Sequence, residues 1–515
     1  MGTGRTRAVA LVGLTGQPVE VEAHLFNGLP QFQLVGTVDS SIREARSRVV
    51  AAASCVGVDL NQRKVTVNLT PAALPKRGPT FDVAIAVCVL VARGVLAEGV
   101  AERVVHVGEL GLDARLRPVP GILPIVTAAQ RGGFDTVVVP TANAEEARLV
   151  DGVRIVAAAD LGDVIRFHGG QCSLPPADPV PLVSTDPAGA GHGPVAYLDL
   201  VDVIGQAWAR RALEVAAAGG HHLLMTGPPG AGKSMLAARL PGLLPPLEGD
   251  VAVEVSAVHS VAGVLDAREG LVRHPPFEAP HHSASVASIV GGGPGIPLPG
   301  AMSRAHRGVL FLDEAPEFNR GVLEALRQPL EDGKVCVARA FGSVIYPAKF
   351  QLVLAANPCP CGQFIGKGHL CSCRPMERRT YLAKLSGPIL DRVDVRVDVP
   401  AARLSAAEPA PESSATVRAR VHSARAAQRE RYRDGPHLLN ADLSGPDLRG
   451  QWRPAAGATT ALDRMLDTGR ISLRGYDRVL RVAWTLADLA RRDRPDRHDV
   501  DEATQLREPQ LAVLA

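Results

Sequence analysis

Gly227-Pro-Pro-Gly-Ala-Gly-Lys233-Ser234 and, further along, Gly308-Val-Leu-Phe-Leu-Asp313-Glu314 are the two stretches on which the fold turns. The first fits G-x-x-x-x-G-K-[ST], the loop that cradles phosphates. It lies between His221-His-Leu-Leu-Met-Thr226, which reads as a buried strand, and Ser234-Met-Leu-Ala-Ala-Arg-Leu240, which reads as a helix. Gly227, Gly230 and Gly232, with Pro228, Pro229 and Ala231 between them, let backbone N–H groups turn inward. The positive end of the helix dipole reinforces them. Lys233 is placed to reach the outer phosphates and Ser234 to hold Mg²⁺. The second stretch is an apolar strand ending in two carboxylates, Asp313 for the same Mg²⁺ and Glu314 to polarise the attacking water. Another strand, Leu352-Val-Leu-Ala-Ala-Asn357, ends in an amide that can orient a water beside the γ-phosphate. Singly these could be a turn and two core strands; in this order they predict an α/β chain that binds and hydrolyses ATP.

At 515 residues the chain is long enough for two to four domains. Its 46% hydrophobic and 21% charged content is that of a soluble globular protein, and with 4% aromatics the cores must be built from Ala, Val and Leu. A net charge of +3 gives no global basic field, so any nucleic-acid contact must come from local arginine clusters. No apolar run approaches the roughly 18 residues of a membrane span, and Leu11 to Leu14 is too brief for a signal segment. Cytoplasmic residence, away from membranes, is the expectation.

Residues 1–168 read as one α/β domain, with strands at Val19–Leu25 and Val65–Leu69 and helices at Ser41–Ala53 and Phe81–Ala92. A Gly/Pro/Ser/Asp-rich linker covers 169–195. The ATPase core is expected over 196–400. A second joint around Ser405–Ser414 and an Arg-rich helix, Thr416–Arg433, fill 401–439, and a helical bundle is expected over 440–515. Leu74-Pro-Lys-Arg-Gly-Pro-Thr80-Phe81-Asp82 resembles the nucleophile segment of the Lon-type protease domain. Thr80 stands where Lon has Ser, and Leu123 where it has the lysine base. A hydroxyl without a base is not activated, so the resemblance implies a Lon-like (ribosomal S5 domain 2-like) fold without peptidase activity, serving docking or ring assembly.

Longer motifs carry a second resemblance. Ala279-Pro-His281-His282-Ser-Ala-Ser-Val, Ile289-Val-Gly-Gly-Gly, Ala305 to Glu314, Asn357-Pro-Cys-Pro-Cys-Gly362, Leu385 to Asp394 and Ser472-Leu-Arg474-Gly-Tyr476 resemble the magnesium-chelatase-like AAA+ ATPases of the ComM/YifB type. The resemblance covers essentially the whole chain. It implies an AAA+ P-loop core with a parallel sheet, a C-terminal helical lid, and a homo-hexameric ring that remodels single-stranded or branched DNA, with recombination proteins as partners. Arg392 resembles the arginine finger that enters a neighbour's site, the alternative being surface ion pairs with Asp391 or Asp394. Arg474 resembles the sensor-2 arginine reaching from the lid to the same phosphates. Gly475 departs from the alanine frequent in the family; within a helix that costs about 1 kcal/mol. Val335–Pro347 reads as a hairpin of the kind that projects into the pore of related rings. Its Arg339 and the adjacent Lys349 would either track phosphates or be incidental loop charges. His281 and His282 are equally open: a contact to DNA or a neighbour, or an ordinary polar loop.

Cys359-Pro-Cys361 and Cys371-Ser-Cys373, with His369 close by, have the thiolate number of a structural Zn²⁺ site in the 359–373 loop. In a reducing compartment metal is the better reading than disulfides; four free thiols are the alternative. Cys55, Cys88, Cys172 and Cys336 read as small buried hydrophobes. Three functions compete: a DNA-remodelling motor performing branch migration or unwinding, a chelatase-type motor serving tetrapyrrole metal insertion, and an ATP-switched adapter. The Lon-like domain speaks against the second, and intact Asp313, Glu314 and Arg392 against the third.

Overall fold

The computed structural model describes residues 2–26, 29, 31–36, 40–60, 63–76, 78–175, 177–181, 198–293, 297–339, 342–364, 368–385, 387–401 and 411–508. Most of the expected linker at 182–195 and of the joint near 405 lies outside these, as does the side chain of Arg339.

The N-terminal sheet has seven strands, ordered Gln31–Val35, Lys64–Thr70, Thr15–Phe26, Gly2–Val12, Val104–His106, Thr136–Pro140, Arg154–Ala158. Alternation puts Val19, Val21, Ala23 and Leu25 inward, where the wholly buried helix Asp82–Ala92 and the helix Ser40–Cys55 cover them. Thr80 lies in a short 3₁₀ turn, and the residues after it are consumed by packing. Phe81 is buried, and the buried Asp82 pairs with Arg48 at 2.6 Å. Leu123 is a buried helix residue.

The second sheet is parallel, with five strands ordered Phe277–Glu278, Val309–Leu312, Gln351–Ala356, Leu223–Thr226, Val395–Asp398. The three middle strands are buried along their whole length, the pattern that forces helices onto both faces. One face shares a core with helix Ala207–Gly219, the arginine-rich helix Ser414–Arg431 and the C-terminal helices Thr460–Asp467, Leu473–Leu489 and Arg497–Gln505. The other packs against the hairpin Lys334–Arg339/Gly342–Pro347 through Val335, Val337, Val344 and Tyr346.

Several sequence expectations are corrected. The helix after the glycine loop is only Lys233–Ala237; Pro241 then opens a 3₁₀ turn. Cys55 and Cys336 are exposed and Cys172 is half-buried, so of the four scattered cysteines only Cys88 is buried. Cys336 alternates with inward Val335 and Val337 and therefore points out. Gly475 lies in the first turn of its helix, where its N–H reaches the Ser472 cap at 3.2 Å, and a Cβ there would stand 2.6 Å from Ile471 Cγ1. The helix-interior penalty therefore does not apply, and alanine would have to displace Ile471. The arginines of Ser414–Arg431 are largely spent inside the chain: Arg420 on Glu214 and Glu412, Arg425 on the Ala217 carbonyl, Arg431 on Asp488.

The N-terminal domain is bolted to the helix Gly249–Ala262. Gly121 N–H donates to the Ser260 carbonyl at 3.1 Å, and the Ser260 hydroxyl donates to buried Glu146, which also accepts from Leu123 N–H at 2.9 Å. At Gly13, in the turn after the first strand, a Cβ would meet the Ile345 carbonyl at 2.9 Å, so that turn touches the 334–347 hairpin.

Candidate active site

Parallel strands end together, and three of these ends carry the site. Thr226 pairs with Ala356, and Leu312 with Leu354, so the glycine loop, Asp313-Glu314 and Asn357 emerge side by side. Gly230 and Gly232 hold φ of 75° and 93°, the left-handed region that only glycine enters without cost. The turn they make returns Lys233 over the loop. Its ammonium, buried between strands, donates to the carbonyls of Gly227 (2.8 Å) and Pro228 (2.9 Å) and to Asn357 Oδ1 (3.1 Å). Burial lowers its pKa while the charges of Asp313 and Glu314 act to raise it. The Ser234 hydroxyl donates to Asp313 Oδ2 at 2.6 Å, and Glu314 N–H caps the other carboxylate oxygen at 2.9 Å. Ser234 and Asp313 thus present a hydroxyl and a carboxylate to one point, the oxygen donor pair that suits Mg²⁺. When bound there Mg²⁺ supplies charge neutralisation to the phosphates. Glu314 itself has φ 50°, an uncommon conformation for a side-chain-bearing residue and one that clusters at functional sites.

Arg392 and Arg474 are bonded to other segments than these, and the charge of Arg474 bears on Arg392. Arg392 donates to the Pro388 carbonyl at 2.6 Å and its ion pair is with Glu331, not with Asp391 or Asp394. Burial, then the guanidiniums of Arg478, Arg474 and Arg327, push its pKa down. Arg474 is 80% exposed and pairs with Asp391 at 3.5 Å. Sequence reading missed what holds the two together. Buried Asp394 accepts from Arg478 and from His221 Nδ1, both at 2.8 Å, and His221 Nε2 meets Thr485 Oγ1 at 2.7 Å. Arg507 adds a bond to the Val393 carbonyl at 2.9 Å. The loop of Arg392 and the helix of Arg474 are therefore one rigid unit. Gln206 was also missed: its amide donates to the carbonyls of Ala231 in the glycine loop and of Pro400. Its signal is a Gly-Gln pair opening a helix.

The four cysteines of the 359–373 loop converge. Cys359, Cys361 and Cys371 have Sγ···Sγ distances of 3.4, 3.7 and 3.7 Å, and all four sulfurs lie within 4.8 Å of one another; His369 is not among them. A tetrahedral ion with ~2.3 Å metal–sulfur bonds requires about 3.8 Å between sulfurs, whereas a disulfide requires about 2 Å. The set fits Zn²⁺. N–H groups of Gln363 and Ser372 stabilise the Cys361 thiolate, holding its pKa near 5. The loop leans on the nucleotide site: a Cβ on Gly362 would be 2.5 Å from Pro229 Cδ.

The expected DNA contacts are less clear-cut. Lys349 pairs with Asp442 at 3.3 Å, so its ammonium is engaged within the chain. The exposed face of the hairpin carries Lys334 beside Cys336, Ala338, Ser343 and Ile345, one basic residue among small or apolar ones. His282 faces Glu314 at 3.4 Å.

Three family models match: "Magnesium chelatase, subunit ChlI" over residues 199–407, "Subunit ChlI of Mg-chelatase" over 21–143 and "Magnesium chelatase, subunit ChlI C-terminal" over 411–507. Among similar proteins, an uncharacterized protein of Mycobacterium tuberculosis is 49% identical, covering 99% of both chains. YifB of Escherichia coli is 40% identical over 97% of this chain and 96% of its own. The competence protein ComM of Haemophilus influenzae is 41% identical over 93% and 92%. A shorter match, 31% identical over 175 residues and 22% of that protein, is to a Lon protease of Mycolicibacterium smegmatis. Since a chelatase-subunit model covers 21–143, the N-terminal region does not by itself speak against a chelatase-type role. The glycine loop, the paired carboxylates and near full-length kinship place this chain in the magnesium-chelatase-like AAA+ ATPase family, with ComM and YifB.

Proposed function

We propose that this ATPase is a ring motor that remodels DNA, driving branch migration or unwinding during recombination of incoming DNA. The observation that carries the reading is kinship over more than nine-tenths of both chains with a protein named for competence, joined to a cluster that brings Lys233, Ser234, Asp313, Glu314 and Asn357 together. Lys233 and the loop N–H groups hold the phosphates, and Glu314 orients and deprotonates water with help from Asn357. Ser234 and Asp313 hold Mg²⁺, and the C-terminal helices act as the lid.

The partners of Arg392 and Arg474, which are Pro388, Glu331 and Asp391 and not the glycine loop, support assembly. Two arginines fixed on one unit and bonded outside their own glycine loop suit the site of a neighbouring copy, and a closed ring of six would complete every site. The N-terminal domain, bolted through Glu146 and touching the 334–347 hairpin, would brace the element that meets DNA. The Cys₄ loop would hold Zn²⁺ as a structural ion.

A strand-displacement assay on a three-stranded junction tests the function. ATP-dependent release of the labelled strand, absent with Glu314→Gln, is expected; no release at any protein concentration, with ATP still being hydrolysed, would overturn the DNA assignment. A chelatase-type role is the second reading, favoured by the descriptions of all three family models.

A further inference from the structure

The four clustered cysteines take no part in the hydrolytic chemistry, yet they are built against residues that do. Cys359 follows Asn357 by two residues, and Asn357 Oδ1 accepts from the Lys233 ammonium at 3.1 Å. Gly362, at φ 72°, closes a turn by donating its N–H to the Cys359 carbonyl at 2.9 Å. That turn lies so close to the glycine loop that a Cβ on Gly362 would meet Pro229 Cδ at 2.5 Å and Cγ at 2.6 Å. The far end is held as well. Arg378, on the helix Pro375–Ala383, lies over the Phe364 ring at 4.1 Å and donates to the Cys373 carbonyl at 3.4 Å. A change in the spacing of the sulfurs therefore falls on the contacts at Pro229 and Asn357.

Cys359 is wholly buried, while Cys361, Cys371 and Cys373 are half-buried and keep some contact with solvent. The sulfur separations of 3.4, 3.7 and 3.7 Å are close to the ~3.8 Å of a metal-bound set and far from the ~2.0 Å of a disulfide. Disulfide formation would draw a pair in by about 1.5 Å. The remaining cysteines offer no such pairing: Cys88 is buried, Cys172 half-buried, and Cys55 and Cys336 are exposed on separate elements.

We propose that Cys359, Cys361, Cys371 and Cys373 form an oxidation site through which hydroperoxides lower the affinity of the chain for ATP. The inference rests on the Zn²⁺ reading of these cysteines. A half-buried thiolate attacks the O–O bond, an S–O bond forms and hydroxide leaves, so that sulfur is oxidised and peroxide oxygen reduced. A neighbouring thiolate then displaces the sulfenic hydroxyl as hydroxide and forms the disulfide. About two molecules of hydrogen peroxide convert the four thiolates into two disulfides and four hydroxides. No thiolate is left to hold Zn²⁺, and the contracted cluster shifts Gly362 against Pro229 and Asn357 against Lys233. Displacing Asn357 from Lys233, the equivalent of one hydrogen bond, weakens nucleotide binding about 3–10-fold.

The test treats the full chain, purified under reducing conditions, with stepwise hydrogen peroxide. Zn²⁺ release is followed with a metallochromic dye, disulfides are placed by peptide mass, and a fluorescent ATP analogue is titrated before and after. The expected result is Zn²⁺ released with about two peroxides consumed per chain, disulfides among the four cysteines, and affinity lowered about 3–10-fold. Dithiothreitol with Zn²⁺ should restore both metal and affinity. A Cys55→Ser/Cys336→Ser chain, lacking the exposed lone thiols, should respond like wild type. Zn²⁺ retained through a peroxide excess, disulfides made only by Cys55 or Cys336, affinity unchanged after Zn²⁺ release, or a loss that reductant and Zn²⁺ do not reverse would overturn the proposal while leaving the Zn²⁺ site in place. A chain that carries no Zn²⁺ as purified would overturn both.

Discussion

Replacing Asp394 by alanine should separate nucleotide binding from hydrolysis. The carboxylate is 1% exposed, and its two oxygens receive Arg478 and His221. Burial alone would raise its pKa, but the charge of Arg478 and the bond from His221 outweigh it and hold the group well below the usual carboxylate range. It is therefore charged throughout the physiological range. Asp394→Ala leaves the Arg478 guanidinium with no counter-charge in a desolvated site, at a cost of about 3–5 kcal/mol. For a cooperative unit of about 300 residues, with an unfolding entropy of ~0.6 kcal/mol/K, that lowers Tm by about 5–8 °C. The glycine loop makes none of these contacts, so a fluorescent ATP analogue should still bind within about 3-fold of wild type. Hydrolysis should fall by 10-fold or more, because the segment of Arg392 and the helix of Arg474 are no longer one body. Asp394→Asn, which keeps acceptor geometry on one side, should fall between. Calorimetry, analogue binding and phosphate release read the three quantities. A variant melting within 1–2 °C of wild type with normal turnover would refute the idea that this network holds the two arginines.

Arg392→Ala should bind ATP yet lose about 10³-fold or more in hydrolysis; mixing it with Lys233→Ala chains should restore some turnover, and no recovery at any ratio would remove the neighbour-directed role. Chelation, or Cys371→Ser with Cys373→Ser, should release one Zn²⁺ per chain, read by elemental analysis. It should weaken ATP binding several-fold through the Gly362–Pro229 contact; unchanged affinity in metal-free protein would uncouple the loop from the site. In the N-terminal domain, buried His106 and His168 join at 2.8 Å; burial pushes the pKa of His168 down to about 4 and that of His106 well below its ordinary value. The unfolded chain takes up these protons near pH 6.5 and the folded chain does not, so their stabilisation is present above that pH and lost as pH falls from 6.5 towards 4. His168 alone accounts for about 2 kcal/mol at pH 5. Melting followed from pH 7.5 to 5 should show this drop, and His168→Gln should flatten it.

What the sequence made legible were features written within a few residues. The glycine loop, Asp313-Glu314 and Asn357 were read from spacing, and strand order then placed their tips together. The hairpin, read from the sequence at Val335–Pro347, pairs from Lys334 to Pro347. Contacts between distant segments left no such trace. Asp394 with Arg478 and His221, Arg392 with Glu331, His282 with Glu314 and Lys349 with Asp442 each join residues whose separate neighbourhoods look like ordinary loops and helix faces. The arginine-rich helix is the complementary case: its charges are visible in the sequence, but Glu214, Glu412 and Asp488, which engage them, come from elsewhere. Cys336 was legible in principle, since the alternation that turns Val335 and Val337 inward turns Cys336 out.

ATP turnover by the purified chain, measured with no DNA, single strands, duplex and a three-stranded junction and with Glu314→Gln alongside, is the most direct test of a DNA-remodelling motor. Hydrolysis abolished by Glu314→Gln and raised most by single-stranded or branched DNA is the predicted result. Robust hydrolysis equal in all four conditions would contradict it and turn attention to protein partners or a chelatase-type complex.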